Sequence, residues 1–202
     1  MQHLRLYQYL VTRRGIEANP EQIRALEEVE KSKTVKDVQR LTGMAAALNR
    51  FISKSSDKCR PFFRSLQKCS KLNWTEDCDL ALEQLKAYLS SPPLLSQPVP
   101  EEDLFLYLAI SEHAVSAVLF REVDKEQKPV YYVSRTYTDV ETRYLPLKKL
   151  VLALVMASKK LVHYFLGHTI CVYSEHPLKS LLQQSDLSGR IARWAVQLGQ
   201  FV

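Results

Sequence analysis

The stretch "LFLYLAISEHAVSAVLF", residues 104–120, decides the fold. Two apolar, β-favouring runs, Leu104 to Ile110 and Val115 onward, flank polar Ser111, Glu112 and His113, so the segment reads as two strands folded back through a short corner. The first run is apolar at every position, the pattern of a strand buried on both faces. Toward the C-terminus, Pro129 to Arg135 supplies a third strand. "YLPLKKLVLALVMASKKLVHYF", 144–165, is one amphipathic helix with Leu147, Leu150, Val151, Leu154, Val155 and Leu161 inward. "TICVYSEH", 169–176, is a fourth strand, "PLKSLLQ" a short helix and "LSGRIARWAVQLGQF" a final one. The order β-β-β-α-β-α-α implies an α/β class, a mixed sheet flanked by helices.

Upstream, Pro92 to Pro100 holds four of the nine prolines. A linker is expected at 92–103, separating a helical part, 1–91, from the sheet-containing part, 104–202. In the helical part, "LYQYLVTRRGIEANP" reads as a strand pair turning at Arg13-Arg14-Gly15. Asn19 and Pro20 then open a helix expected to end near Lys31. Thr34 caps a longer one, "TVKDVQRLTGMAAALNRFI", in which Val38, Leu41, Ala45, Leu48 and Ile52 recur at 3 and 4 residues and form a buried stripe. A short basic helix follows Pro61, and Thr75 caps another with Cys78, Leu82, Leu85 and Leu89 on one side.

At 202 residues, 46% hydrophobic and 25% charged, the chain has the composition of a soluble globular protein. It lacks a signal-peptide pattern and any run of roughly 20 apolar residues, so an intracellular location without a membrane span is expected. The four cysteines form no CxxC pair and are expected to be reduced and mostly buried. His163, His168 and His176 read as surface or capping histidines rather than metal ligands.

The net charge of +6 is uneven: residues 1–73 hold 15 Lys/Arg against 7 Asp/Glu, and 74–202 hold 13 against 15. A basic N-terminal half points to an anionic partner, nucleic acid being the commonest, or to a solvated basic face with none. The outer face of the Thr34-capped helix sharpens the choice. Lys36, Gln39, Arg40, Gly43, Ala47 and Arg50 are basic, amide-bearing or very small, and a mid-helix Gly43 costs about 1 kcal/mol relative to Ala unless close approach of another backbone compensates. Helix packing and nucleic-acid contact explain that face equally well at this level.

"RGIEANPEQIRAL", "TVKDVQRLTGMAAALNRFI", "LNWTEDCDLALEQLKAYLSSPPLL" and "SAVLFREVDKEQKPVYYVSRT", with "ETRY" beyond, together resemble the reverse transcriptase polyprotein of gypsy-type LTR retrotransposons, plant ones in particular. The resemblance runs from the end of the palm through the thumb into an RNase H-like domain and covers nearly the whole chain. It implies that Gln39, Gly43 and Ala47 track the minor groove of a template-primer duplex while Lys36, Arg40 and Arg50 meet phosphates. Small residues admit the sugars there, and an amide bonds groove acceptors without demanding one sequence. Leu6, Tyr7, Gln8 and Tyr9 fall at the family's primer grip, with Gln8 where a Gly is usual. Polymerases of this kind hold Mg²⁺ on a palm Asp-Asp pair, which this sequence lacks, so these residues alone incorporate no nucleotide.

Active RNase H sites in the family use four carboxylates around two Mg²⁺ ions. The resemblance places Ala109 at the first aspartate, Leu150 at the glutamate, Glu175 at the next aspartate, and the last beyond Val202. One carboxylate in four remains, which implies a degenerate, C-terminally truncated domain acting as a tether, with no metal or cofactor of its own. The expected function is non-catalytic binding of an RNA–DNA or DNA duplex, with the rest of a polyprotein as partner and with 92–202, near neutral, binding poorly. Two alternatives stay open: a weak Mg²⁺-dependent ribonuclease on RNA–DNA hybrids, or a decayed retrotransposon reading frame without function.

Overall fold

The computed structural model describes residues 4–6, 9–12, 14–31, 34–67, 73–174, 176–182 and 189–201. The chain forms two compact units, 1–97 and 98–202.

The first unit opens with an antiparallel three-stranded sheet, β1 (Leu4–Leu6), β2 (Tyr9–Thr12) and β3 (Gly15–Ala18), in that spatial order. The β2–β3 pair is the expected hairpin; β1 was not foreseen. Gly15 takes φ +142°, and a Cβ there would stand 2.3 Å from the Leu95 carbonyl oxygen. That close approach lets Ile16 N–H donate to Leu95 O at 2.7 Å and Leu95 N–H to Ile16 O at 3.0 Å, fastening fully buried Leu95 to the sheet.

Asn19 accepts the Glu21 N–H and caps α1 (Pro20–Glu27). This helix stops short of Lys31, since Glu27, Glu28 and Glu30 crowd the negative end of its dipole. A reciprocal capping box between Thr34 and Asp37 starts α2 (Val35–Ala47). The apolar stripe persists beyond it through a 3₁₀ turn, Asn49–Phe51. Short α3 (Ser55–Lys58) and α4 (Arg60–Gln67) lead to α5 (Glu76–Leu89). Val38, Leu41, Leu48 and Ile52 are fully buried with Leu26, Phe51, Phe62, Leu85 and Leu89, each contributing roughly 1.5–3 kcal/mol of burial before conformational entropy is charged against it. Cys59 and Cys78 are buried and free, and burial pushes the Cys59 thiol up to about 11; Cys69 lies outside the described residues.

The second unit is built on β4 (Leu104–Ile110), β5 (Ala114–Val123) and β6 (Glu126–Thr136), a meander. At its first corner the Ser111 hydroxyl accepts the Ala114 N–H at 2.9 Å. At its second, Asp124 and Lys125 both take positive φ, as a two-residue hairpin turn of the primed type requires. Then come α6 (Pro146–Lys160), α7 (Val162–Gly167), β7 (Ile170–Tyr173), α8 (Leu178–Leu182) and α9 (Gly189–Leu198). Sheet order is β6-β5-β4-β7, with β7 parallel to β4, giving the expected mixed sheet.

Two expectations are corrected. The helix read as one piece over 144–165 breaks at Leu161, where φ is −110° and ψ is 26°, with no Gly or Pro to mark the break. Nor is β4 buried on both faces. Leu104 and Leu106 are fully buried and pack against Leu154, Ala157 and Leu161, but Tyr107 on the opposite face is 40% exposed. That face is apolar because Phe105 and Tyr107 stack with Phe120 and Tyr173, at ring separations of 4.8 to 5.6 Å. Among the described residues no helix is long and apolar enough to cross a membrane.

Candidate nucleic-acid interface

Helix α2 divides cleanly into two faces. Val38, Leu41 and Ala45 point into the core, while Lys36, Gln39, Arg40 and Gly43 are exposed on the other side and Ala47 is half-buried at its end. This follows from the 3.6-residue period, which puts positions 36, 39, 40, 43 and 47 on one side of the helix. A Cβ added to Gly43 would meet nothing within 4 Å. Among the described residues, Gly43 therefore does not serve close packing against another helix.

Not every expected cation is equally available. Arg50 is half-buried, its guanidinium 4.6 Å from the Tyr9 ring centroid, so it braces the 3₁₀ turn against β2 through a cation–π contact. Arg40 lies in a shallow cleft with Glu28, Glu30 and Asp37, which offset its charge. Elsewhere in the unit, Lys58 Nζ sits 3.6 Å from the Tyr88 ring centroid, and burial holds its pKa below the usual lysine value. Lys31 pairs with Asp79 at 2.7 Å; the hydrogen bond raises the lysine pKa and, with that from Trp74 Nε1, lowers the carboxylate's. Lys36, Gln39 and Gly43 are thus the exposed positions of the set with neither of these engagements. Of the primer-grip stretch, Tyr7 and Gln8 lie outside the described residues.

In the second unit, Leu150 sits in the first half of α6, 7% exposed, in an apolar cluster with Val151, Val155 and Leu178 against Leu108 and Ile110. Ala109, between those two, faces the other side of the strand beside its cross-strand partner Ser116, whose hydroxyl is 2.9 Å from that of Ser134. Glu175 lies outside the described residues. A methyl and an isobutyl group offer no oxygen to a hard cation, so Ala109 and Leu150 do not fit a two-Mg²⁺ site. His168 Nδ1 is 2.9 Å from the Glu102 carbonyl, while His163 and His176 are exposed. Among the described residues no three His, Cys, Asp or Glu side chains cluster as metal ligands would.

Residues 74–172 match the family described as the RNase H-like domain found in reverse transcriptase. Over 196 residues, 96% of its length, the chain is 30% identical to the retrovirus-related Pol polyprotein from transposon 297 of Drosophila melanogaster, covering 18% of that protein. It is 29% identical to the transposon Tf2-3 polyprotein of Schizosaccharomyces pombe over 205 residues, 96% of this chain and 15% of that one. The chain therefore spans about a fifth or less of the curated relatives it matches. Its fold is that of foamy viral protease-reverse transcriptase. The structure solved with dsDNA matches at TM-score 0.80 and 22% identity, over 99% of this chain and 43% of that one. The structure solved with an RNA/DNA hybrid also matches at 0.80 and 22%, over 97% and 28%. Residues 74–172 are thus similar to the RNase H-like domain found in reverse transcriptase, and the chain as a whole is similar to a part of retroelement polyproteins.

Proposed function

We propose that this chain is the thumb and tether portion of a gypsy-type, plant-like retrotransposon reverse transcriptase, binding a template-primer duplex without catalysing its cleavage. The observation that carries the reading is the open, exposed face around Gly43 on α2. A helix that forgoes a Cβ at an exposed position loses about 1 kcal/mol of propensity. Contact with a sugar–phosphate surface makes use of the gap that this leaves. Gln39, one turn earlier, supplies donors and an acceptor for groove edges, and Lys36 supplies charge for phosphate. In this reading 1–91 is thumb-like, 92–103 a connector and 104–202 the degenerate RNase H-like tether. That the foamy viral proteins of the same fold were solved on dsDNA and on an RNA/DNA hybrid supports a duplex ligand.

The non-catalytic half of the proposal rests on Leu150. A carboxylate at its position would be desolvated among Val151, Val155 and Leu178 without a partner, and such a charge is strongly destabilising. The test uses the full chain on a labelled RNA–DNA hybrid and on duplex DNA of equal length. The expected result is sequence-independent binding that weakens steeply with added salt, since each neutralised phosphate releases counterions. No cleavage of the RNA strand is expected in Mg²⁺ or Mn²⁺. Metal-dependent cleavage abolished by Glu175→Ala would sink the tether reading and establish the ribonuclease alternative, and absence of duplex binding would sink the thumb reading.

A further inference from the structure

The second unit carries 12 Lys/Arg against 11 Asp/Glu, so its net charge suggests no polarity. The charges are nevertheless segregated. A cleft of about 690 Å³ between α6 and α9 is lined by Arg135, Lys159, Lys160, Arg190 and Arg193, with Trp194 in its wall. Glu141 is the one acid among its described lining residues, and it is already paired with Arg135 at 2.9 Å. Lys148 and Lys149, half-buried over the Tyr144 and Tyr137 rings at 4.2 and 4.7 Å, continue the basic row along α6 outside the cleft. Positions 148, 152 and 159, and 149, 156 and 160, recur at helical spacing and share one side of the helix. Seven of the unit's twelve cations thus line the cleft or continue its row.

Helix dipoles account for only part of this. Lys159 and Lys160 occupy the last turn of α6, where a cation is favoured. Arg190 does the opposite: it sits in the first turn of α9, at the positive end of its dipole, where no acid offsets it, and Arg193 follows just past that turn. They also share the cleft with the two lysines. Like charges gathered at an unfavourable helix end are destabilising by themselves, and an anion seated among them would reverse the sign of each interaction. Trp194, half-buried and edge-on to Tyr144 at 6.2 Å, adds a ring to the same wall. The Arg190 guanidinium hydrogen-bonds the Tyr144 hydroxyl and so is held at the rim.

We infer that the α6–α9 cleft is a second nucleic-acid contact, taking the phosphate backbone of the bound strand. From Lys148 to Lys160 the row extends roughly 18 Å at 1.5 Å per residue, too long for one phosphate or a small anion. That length suits about five successive phosphates of a strand at 3.4 Å of axis each. An aromatic ring beside a cationic track is the combination that holds nucleic-acid backbone and base together. The contact stands independently of the α2 face, and the test separates the two.

The full chain is titrated with an RNA–DNA hybrid at several salt concentrations, as wild type, as Lys159→Gln/Lys160→Gln/Arg193→Gln, and as Lys36→Gln. All four replaced side chains are exposed, and melting temperatures confirm the fold; Arg193→Gln alone substitutes if the triple variant is unstable. The triple variant is expected to lose tenfold or more in affinity and about 2–3 from the slope of log affinity against log salt, roughly one per lost phosphate contact. Lys36→Gln should lose about one. In Trp74→Phe protein, the remaining Trp194 fluorescence should change on titration. A triple variant with wild-type affinity and slope overturns the inference, as does an acidic polypeptide that displaces the hybrid at equal charge concentration. Loss confined to Lys36→Gln would leave the thumb reading standing and remove the cleft.

Discussion

Gly43 offers a direct test because stability and binding should move in opposite directions there. A glycine inside a helix is about 0.8–1 kcal/mol less favourable than alanine, and a Cβ at this position meets nothing within 4 Å. Gly43→Ala should therefore stabilise the first unit by about 0.5–1 kcal/mol, raising its melting temperature by roughly 3–6 °C for a domain of this size. Gly43→Leu should be as stable as wild type or more so, since leucine is also a strong helix former. Its side chain would nonetheless fill the gap through which a groove wall approaches, and duplex affinity should fall about tenfold, some 1.4 kcal/mol. Gly15→Ala is the internal contrast: with φ +142° and the Leu95 carbonyl oxygen 2.3 Å from the new Cβ, it must displace backbone and should lower stability by about 1–3 kcal/mol. Circular dichroism melts and fluorescence anisotropy on a labelled duplex read the two effects separately. A lower melting temperature for Gly43→Ala would refute the open-face geometry. Wild-type duplex affinity in Gly43→Leu would refute the groove contact even if the stabilities came out as expected.

Two further predictions concern the second unit. Leu150→Glu should cost about 3–5 kcal/mol in chemical denaturation, because it places an unpartnered carboxylate among Leu108, Ile110, Val151 and Leu178; half-exposed Ala109→Asp should cost less, and equal losses would contradict the packing described. Burial pushes the Glu141 carboxyl up, but the Arg135 hydrogen bond and the Thr138 N–H together outweigh it and hold its pKa below the usual value of 4.5. A carboxyl with a depressed folded pKa stabilises the protein fully above its unfolded value and loses that contribution as pH falls through the folded one. Stability should therefore decline on acidification below about pH 4.5, and Glu141→Gln should be less stable at neutral pH and flatter across that range, as melts in a buffer series would show.

What the sequence disclosed depended on how local each signal was. The stripe Val38, Leu41, Ala45, Leu48, Ile52 could be read because helical periodicity is a property of consecutive residues, and all five are buried. The bounds of β4 were legible for the same reason, but its burial was not. Aromatic rings stacked on a partly exposed sheet face leave the same letters as a dry interior, and only the partners Phe120 and Tyr173, distant in sequence, tell them apart. Strand β1 is too short for any alternation to register. In the candidate site, the exposed side of α2 was visible as a pattern of small, amide and basic residues. The engagement of Arg50 with Tyr9 was not, since it joins residues 41 positions apart.

The basic cleft in the second unit escaped the sequence reading for a related reason, and that reason bears on how the chain would bind. Net charge sums over a whole unit, yet at physiological salt an exposed charge acts over only about 8–10 Å. A unit with 12 cations and 11 acids can therefore present a strongly positive surface wherever the two signs are sorted. Between α6 and α9 they are: Lys159 and Arg193, 34 residues apart in sequence, line one cleft. In the first unit the sorting is poorer than its surplus implied, because Glu28, Glu30 and Asp37 stand near Arg40 and Lys31 is paired with Asp79. A phosphate backbone responds to these local fields rather than to the sums. On that basis the affinity of the intact chain should depend on both units, and the N-terminal surplus alone should underestimate its salt dependence.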